Sequence, residues 1–202
     1  MIETPFLFEE AISDDEFKKL GQMLVRWSHI ENTIGNCLRR LLRLSMDEAI
    51  VVVFPLGLEY RMNKIRDLSK LRKLKKKTQK LFDELERCVK AMQHVRNQIA
   101  HGIVSQDNEH GYTFTMKKNQ ATRNKGEIFS AIELLNYTAH IAIEFRYALG
   151  LKGIMVGHSL YASLDRPSIP KFLQSYFQEP KPQKKAKPKR PPRSSQAKSQ
   201  SR

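Results

Sequence analysis

Seven residues in the middle of the chain, Arg96 to Gly102 (RNQIAHG), include three side chains that could act on a charged substrate. An arginine guanidinium can bind a phosphate through paired hydrogen bonds, and a histidine can take up or release a proton near neutral pH. The amide of Asn97 can orient an oxygen atom or the imidazole ring. The alternative is an ordinary polar helix end, because a protonated His101 would suit the negative end of a helix dipole.

The helical wheel places these side chains in different directions. Successive residues advance by ~100°, so Arg96 should lie ~40° from the centre of the apolar stripe, whereas Asn97 and His101 should lie on the outer face at ~140° and ~180°. His94 shares that outer face and is expected to be solvated. A buried charge needs a partner, and Glu31 interrupts the apolar stripe of the first helix in the same way. We therefore expect Glu31 to pair with Arg96 and position it, or simply to fix the bundle.

The spacing of the arginine and the histidine creates a geometric difficulty. Arg96 and His101 should be ~140° apart on an ideal helix, so one straight helix aims them poorly at one phosphate. The last turn could unwind at Gly102, or two copies of the helix end could meet across a twofold axis. The second arrangement would place two histidines in one cleft, enough for an acid and a base.

The helices that must position these residues are predicted from capping boxes and from apolar residues spaced three or four apart. Capping boxes at Ser13–Glu16, Ser45–Glu48 and Ser130–Glu133 predict a first helix to about residue 44, a short helix ended by Pro55, and a last helix to about residue 149. Further helices are expected over about 58–74 and 78–101, the second ended by Gly102. The expected apolar stripes include Phe17, Leu20, Leu24, Trp27, Ile34, Leu38 and Leu41 on the first helix, and Met62, Ile65, Leu68 and Leu71 on the third.

The sequence changes character after Gly102. Turn residues and the alternation in "YTFTM" predict a small hairpin or extended excursion. The expected fold class is all-α, an up-and-down helical bundle with a small β-like insert before the last core helix. The bundle should cover residues 1–150, followed by a poorly patterned extension over 151–179 with one short helix at about 170–177.

Composition excludes several classes of protein. The chain has 202 residues, of which 40% are hydrophobic, and it contains no apolar run of the ~20 residues that a membrane span requires. The N-terminus has no pattern of a secretory signal. Cys37 and Cys88 lie on apolar stripes and are expected to be small buried hydrophobes in a reducing cytoplasm. No Cys and His pair has zinc-ligand spacing, so neither a metal nor another cofactor is expected.

Positive charge is concentrated in two segments. The net charge is +15, and residues 180–202 contribute nine of these charges with no acid, leaving six for the rest of the chain. Apart from prolines, this tail has only two alanines as apolar residues, so we expect it to be disordered. It is either a solubility tail or a segment that binds an anionic partner. The candidate RNA-binding residues are Lys73, Lys75, Lys76 and Lys77 in the chain, and Lys184, Lys185, Lys187, Lys189 and Arg190 in the tail.

Three landmarks together resemble the HEPN superfamily. Arg96-Asn97-x₃-His101 is similar to its R-x(4–6)-H motif, "RWSHIENTIGNCLRRLL" (26–42) resembles its first helix, and "IFSAIELL" (128–135) resembles the start of its last helix. The resemblance covers about residues 13–150 and implies an all-α bundle that is usually dimeric. Many members are metal-independent endoribonucleases used as toxins or in phage defence, whereas some only bind or regulate.

The resemblance leads to an expected activity, a cytoplasmic, homodimeric endoribonuclease that cuts RNA by attack of the 2′-OH. His101 would be the acid or base, Arg96 the phosphate ligand, Asn97 the orienting residue and Glu31 a support; a cognate antitoxin or inhibitor is a possible partner. The alternative is a non-catalytic HEPN-like domain that binds RNA or protein. A third interpretation is a structural helical adaptor whose tail docks on ribosomes, nucleic acid or anionic lipid.

The composition of the tail predicts how its deletion would act. Residues 180–202 carry no aromatic residue to stack on a base, and phosphate contacts are sequence-blind. Deletion should weaken RNA binding at low salt and flatten the salt dependence, by at most ~6 units of log–log slope, without moving the cleavage sites. Binding titrations and end-mapping of the products test this. Cleavage at new positions would mean that the tail selects the sequence or recruits a specific partner.

Overall fold

The computed structural model describes residues 12–107, 111–116, 121–151 and 167–178. The tail over 180–202, with its five candidate RNA-binding residues, lies outside this part of the chain. The described elements, in chain order, are α1 (Asp14–Leu42), α2 (Met46–Val52), α3 (Leu58–Leu71), α4 (Lys76–His101), β1 (Ile103–Asp107), β2 (Gly111–Met116), β3 (Ala121–Asn124), α5 (Lys125–Ser130), α6 (Ile132–Ala148) and a 3₁₀ helix (Lys171–Tyr176).

The core lies where the long helices meet. Helix α6 packs against both α1 and α4, and α3 packs against α1. The largest fully buried side chains come from each of these helices and from β2 and α5; they are Phe82, Phe114, Phe145, Ile30, Ile34, Leu38, Ile65, Leu85, Met92, Ile128 and Leu134. The protein is therefore an all-α helical bundle with a small β insert before α6, as the periodicity predicts.

Capping boxes form at three of the six described α-helix starts, those of α1, α2 and α5. The Ser13–Glu16 and Ser45–Glu48 boxes form as predicted, each with both reciprocal hydrogen bonds. The predicted Ser130–Glu133 box is wrong. The box that forms is Asn124–Glu127, which opens α5, while the Ser130 hydroxyl bonds back to the Glu127 carbonyl within that helix. A serine followed three residues later by glutamate cannot cap a helix when its own backbone is already helical.

The apolar stripes are only partly buried. Met23 and Ile30 complete the stripe of α1, whereas Phe17 is 47% exposed, and Leu71 at the end of α3 is 78% exposed. A helical wheel gives the direction of a side chain, but not whether another element lies opposite it. Both exposed residues lie in terminal turns, where the neighbouring helices no longer cover them.

The insert is a three-stranded antiparallel meander with the order β1–β2–β3, one strand more than the predicted hairpin. Phe114 of β2 is opposite Val104 on one side and Arg123 on the other. The Phe114 side chain is 2% exposed and belongs to the core, so the insert is packed on the bundle.

Gly102 ends α4 as expected, but with an extended backbone (φ −71°, ψ 146°) instead of a left-handed one. A Cβ atom at this position would lie 2.2 Å from the Gln98 carbonyl oxygen. Glycine is therefore required by close approach, since the chain must leave the helix and enter β1 at once.

Arg61 joins α1, α3 and the loop after α2. Its guanidinium donates to the carbonyls of Leu56 (2.7 Å), Phe54 (2.8 Å) and Glu31 (3.1 Å). Gly35 on α1 gives the Phe54 ring room, because a Cβ there would be 2.7 Å from the ring. One side chain thus ties the loop after α2, through the Phe54 and Leu56 carbonyls, to the middle of α1, through the Glu31 carbonyl.

The segment after α6 contributes to the same core. Leu173 of the 3₁₀ helix is fully buried, and this helix packs against α4. Its position agrees with the short helix predicted at about 170–177. Cys37 and Cys88 are both buried thiols outside any disulfide of the described structure, and burial raises the pKa of the Cys37 thiol to about 12. None of the described helices has the length and apolarity to cross a membrane.

Replacing Arg61 tests its structural role. Arg61→Met keeps much of the side-chain volume but removes the donors to three carbonyls, so the free energy of unfolding should fall by ~2–4 kcal/mol. The matched control is Arg87→Met, which removes a partly buried ion pair with Glu84 within one helix but no donor to a loop carbonyl, and should cost ~1 kcal/mol. Urea unfolding measures both. Equal effects of the two substitutions would show that the Arg61 contacts do not hold the loop.

Candidate functional site

The last turns of α4 face the core on one side and the surface on the other. Val95 and Gln98 are fully buried, which fixes the rotation of the helix about its axis. Arg96 and Asn97 are consequently half-buried and His101 is exposed. The three motif residues lie at the boundary between core and solvent, where a substrate can reach them.

The arginine side chain brings the motif together. Arg96 Nη1 donates to Asn97 Oδ1 at 3.2 Å and lies 3.1 Å from His101 Nε2. The helix remains intact through His101, and the Gly102 N–H bonds to the Gln98 carbonyl at 2.9 Å. Of the two arrangements considered from the spacing, unwinding of the last turn at Gly102 does not occur. Instead, the arginine side chain is long enough to reach from position 96 to His101 around the helix.

The contact with Arg96 determines which ring nitrogen of His101 accepts a hydrogen bond in this arrangement. A guanidinium can only donate hydrogen bonds, so His101 Nε2 must accept and the ring proton must be on Nδ1. The cluster as it stands thus directs the Nε2 lone pair of His101 at Arg96.

The predicted ion pair between Glu31 and Arg96 is wrong. Both residues are described, and no ion pair joins them; Glu31 Oε1 instead accepts the indole N–H of the buried Trp27 at 2.8 Å. The Glu31 charge acts on Arg61, where it opposes the lowering of the pKa by burial. Glu31 therefore satisfies a core tryptophan and does not position the motif.

The Arg96 side chain is long enough to keep its charged guanidinium out of the core. Its side chain lines a small apolar niche with Leu24, Trp27 and Ile99. The guanidinium extends past this niche to Asn97 and His101, so only the aliphatic part follows the direction that the helical wheel predicts. No carboxylate is needed to compensate a charge that stays at the surface.

A pocket of about 300 Å³ opens beside the motif, between α3, α4 and the 3₁₀ helix. Asn97 lines it together with Met62, Val89, His94 and Tyr176. The prediction that His94 is solvated is wrong, because the ring is half-buried and its centroid is 6.2 Å from that of Tyr176. The sequence pattern gave no sign of this pocket, since the 3₁₀ helix that closes it follows a poorly patterned segment.

The lysines proposed from sequence lie away from the motif. Lys73, Lys75, Lys76 and Lys77 are exposed at the start of α4, and this helix of 26 residues separates them from His101 by ~39 Å. Within one chain they are not neighbours of the Arg96–His101 cluster.

Among the described residues, no group of three or more His, Cys, Asp or Glu side chains is arranged to hold a metal ion. Comparisons with protein-family models, with curated proteins and with solved structures each find no match to this chain.

The burial of His94 predicts a pH dependence of stability. Desolvation, followed by the nearby positive charge of Arg123, lowers the pKa of His94 below its usual 6.5. The unfolded chain then binds the proton more readily, so this contribution to stability is present above pH 6.5 and is lost as the pH falls through the folded-state value.

Thermal unfolding between pH 7.5 and 5 tests this. His94→Gln should reduce the loss of melting temperature on acidification, whereas His29→Gln, at an exposed histidine of α1, should leave the profile unchanged. Parallel profiles for wild type and His94→Gln would contradict the assignment.

Proposed function

We propose that the protein is a metal-independent endoribonuclease of HEPN type. The observation that carries the proposal is the contact of one guanidinium, that of Arg96, with both Asn97 and His101. This cluster has a cation for a phosphate, a group that can transfer a proton, and an amide that orients the guanidinium. RNA supplies its own nucleophile in the 2′-OH, so no further reactive group is needed.

The proposed reaction begins when a phosphate of RNA binds Arg96. The guanidinium fork turns to the phosphate oxygens, which frees the Nε2 lone pair of His101. His101 then takes the proton of the 2′-OH, and O2′ forms a bond to phosphorus. The bond from phosphorus to O5′ breaks, and O5′ takes up a proton. Arg96 stabilises the negative charge that develops on the phosphate oxygens during this displacement. The products are a 2′,3′-cyclic phosphate and a 5′-OH.

The departing O5′ needs an acid, and the cluster of one chain contains a single histidine. We propose that a second copy supplies it, with the two ends of α4 facing each other across a twofold axis. His101 is exposed at the end of the helix, which leaves it open to such an approach.

The pocket beside Asn97 suggests a single-stranded substrate. Its volume of about 300 Å³ lies at the lower limit of small-ligand sites, and Tyr176 and His94 offer rings on which an unpaired base can stack. A nucleotide next to the cleaved bond would place its base here while its phosphate contacts Arg96. The net charge of +15 favours the approach of any RNA.

The alternative proposal is a non-catalytic HEPN-like domain that binds RNA or a protein. The single histidine in the cluster favours it, because a monomer would hold phosphate without a complete acid–base pair. A role in toxin–antitoxin or phage-defence systems, with an antitoxin as partner, follows only from the resemblance and belongs to the same proposal.

Substitution of His101 tests the activity. His101→Ala should lower the rate of RNA cleavage by at least ~10²-fold, the usual contribution of a general acid or base, while the melting temperature stays nearly constant because the side chain is exposed. His29→Ala, the matched change at another exposed histidine, should cut at the wild-type rate. EDTA should not inhibit.

Arg96→Lys separates catalysis from folding in the same assay. It keeps the charge but loses the fork that contacts Asn97 and His101, so the cleavage rate should fall without loss of RNA binding. Cleavage by His101→Ala at the wild-type rate would contradict the assignment, and full inhibition by EDTA would indicate a metal enzyme.

A further inference from the structure

A second pocket lies at the opposite end of the bundle, where α1, α3 and α6 end together. Its volume is about 520 Å³, and four arginines line it: Arg39, Arg40, Arg43 and Arg72. The other described lining residues are Leu41, Leu44, Leu74, Ala148, Leu149 and Leu151, and none of the ten is acidic.

The three helix ends create this pocket through their C-terminal geometry. Arg43 ends α1 with a left-handed backbone (φ 62°), and Arg39 Nη1 donates to the Leu44 carbonyl at 3.4 Å. Gly150 follows α6 with φ 75°, so the chain turns back and the Leu151 N–H bonds to the Arg146 carbonyl at 3.2 Å. These turns direct the chain around the pocket, and Leu44 and Leu151 line its wall.

Helix dipoles explain only part of the positive charge. Each helix C-terminus carries about −0.5 elementary charge, so three helix ends together carry about −1.5. The four guanidinium groups carry four positive charges, which leaves an excess of ~2.5 positive charges. Natural helix ends do not require such an excess, and repulsion between the arginines opposes it.

Three of the four arginines have no partner within the part of the chain that the structure describes. Arg66 pairs with Glu86 and Arg87 pairs with Glu84, whereas the side chains of Arg40, Arg43 and Arg72 form no hydrogen bond or ion pair with any described residue. Two further donors near this end, Arg39 Nε and Arg146 Nε, are buried without a partner in the described structure. A buried N–H without an acceptor is unfavourable, so these groups favour a ligand that supplies acceptors.

We propose that this pocket binds a ligand with two or more adjacent phosphate groups. Two phosphates would balance the excess charge, the guanidinium forks match phosphate oxygens, and the leucines exclude water from one side. The phosphates belong either to a free oligophosphate or to consecutive nucleotides of RNA, and only the RNA source rests on the proposed function. The site is separate from the motif, because Arg96 lies beside Trp27, and Arg40 is ~20 Å farther along α1.

The test uses the full chain and inorganic triphosphate in calorimetric titrations. The variant is Arg40→Gln/Arg43→Gln/Arg72→Gln, which removes three charges that form no hydrogen bond or ion pair with the described residues. The control is Lys18→Gln/Lys64→Gln/Lys80→Gln, which removes three exposed charges away from the pocket. The arginine variant should bind triphosphate at least ~10-fold more weakly than the control, the equivalent of one charge-assisted hydrogen bond.

Equal affinity of the two triple variants would overturn the proposal, because attraction by net charge or by the basic tail is the same in both. Melting temperatures verify that both triple variants are folded. If the triple arginine variant is unstable, the same comparison is made between two single substitutions, Arg72→Gln in the α3–α4 loop and Lys64→Gln.

The source of the phosphates is identified with single-stranded RNA and His101→Ala protein, so that cleavage does not interfere. Loss of RNA binding in the arginine variant, together with competition by triphosphate, assigns the site to the RNA backbone. Unchanged RNA binding with lost triphosphate binding assigns it to a free oligophosphate. Both outcomes stand even if the wild-type protein cleaves no RNA, so a failure of the proposed activity and a failure of this site are distinguishable.

Discussion

The rotation of α4 about its own axis is the constraint on which the rest of the site depends. The burial of Val95 and Gln98 holds the helix against the core. Because the helix is continuous to His101, this rotation also fixes where Arg96 and Asn97 emerge at the surface. The glycine that follows lets the chain leave without disturbing the last turn, since any Cβ at Gly102 would meet the Gln98 carbonyl. Packing in the core thereby sets the geometry of a polar cluster at the surface.

The helix extents were largely predictable from sequence, because the signals that determine them are local. Ser13–Glu16 and Ser45–Glu48 form the boxes that their spacing indicates. Errors occur where the outcome depends on tertiary neighbours. The wheel placed Arg96 toward the interior, but it could not show that the side chain is long enough to return to the surface. It likewise could not show that Trp27 needs the Glu31 carboxylate for its indole N–H.

The two pockets were not predictable for a related reason. The residues of the arginine-lined pocket come from the ends of three helices, and in the sequence Arg72 and Leu149 have no evident connection with Arg40. Turns with positive φ at Arg43 and Gly150 bring these ends together, and only the second carries the glycine that signals such a turn. The pocket beside Asn97 depends on Tyr176, which reaches α4 from a segment without clear periodicity.

The distribution of charge connects the cluster with the proposed reaction. Displacement at phosphorus places the attacking O2′ and the departing O5′ roughly in line on opposite sides, so one imidazole cannot serve both without moving. In one chain, Arg96 occupies the side of His101 that faces the helix, and the remaining side faces solvent. A second chain related by a twofold axis would present its own His101, in contact with its own Arg96, to that open side. An acid–base pair requires one imidazole that can take the proton of the 2′-OH and one that carries a proton to give to O5′. A ring that accepts from Arg96 has no proton on Nε2 to donate, so the phosphate would have to draw the arginine away from both histidines.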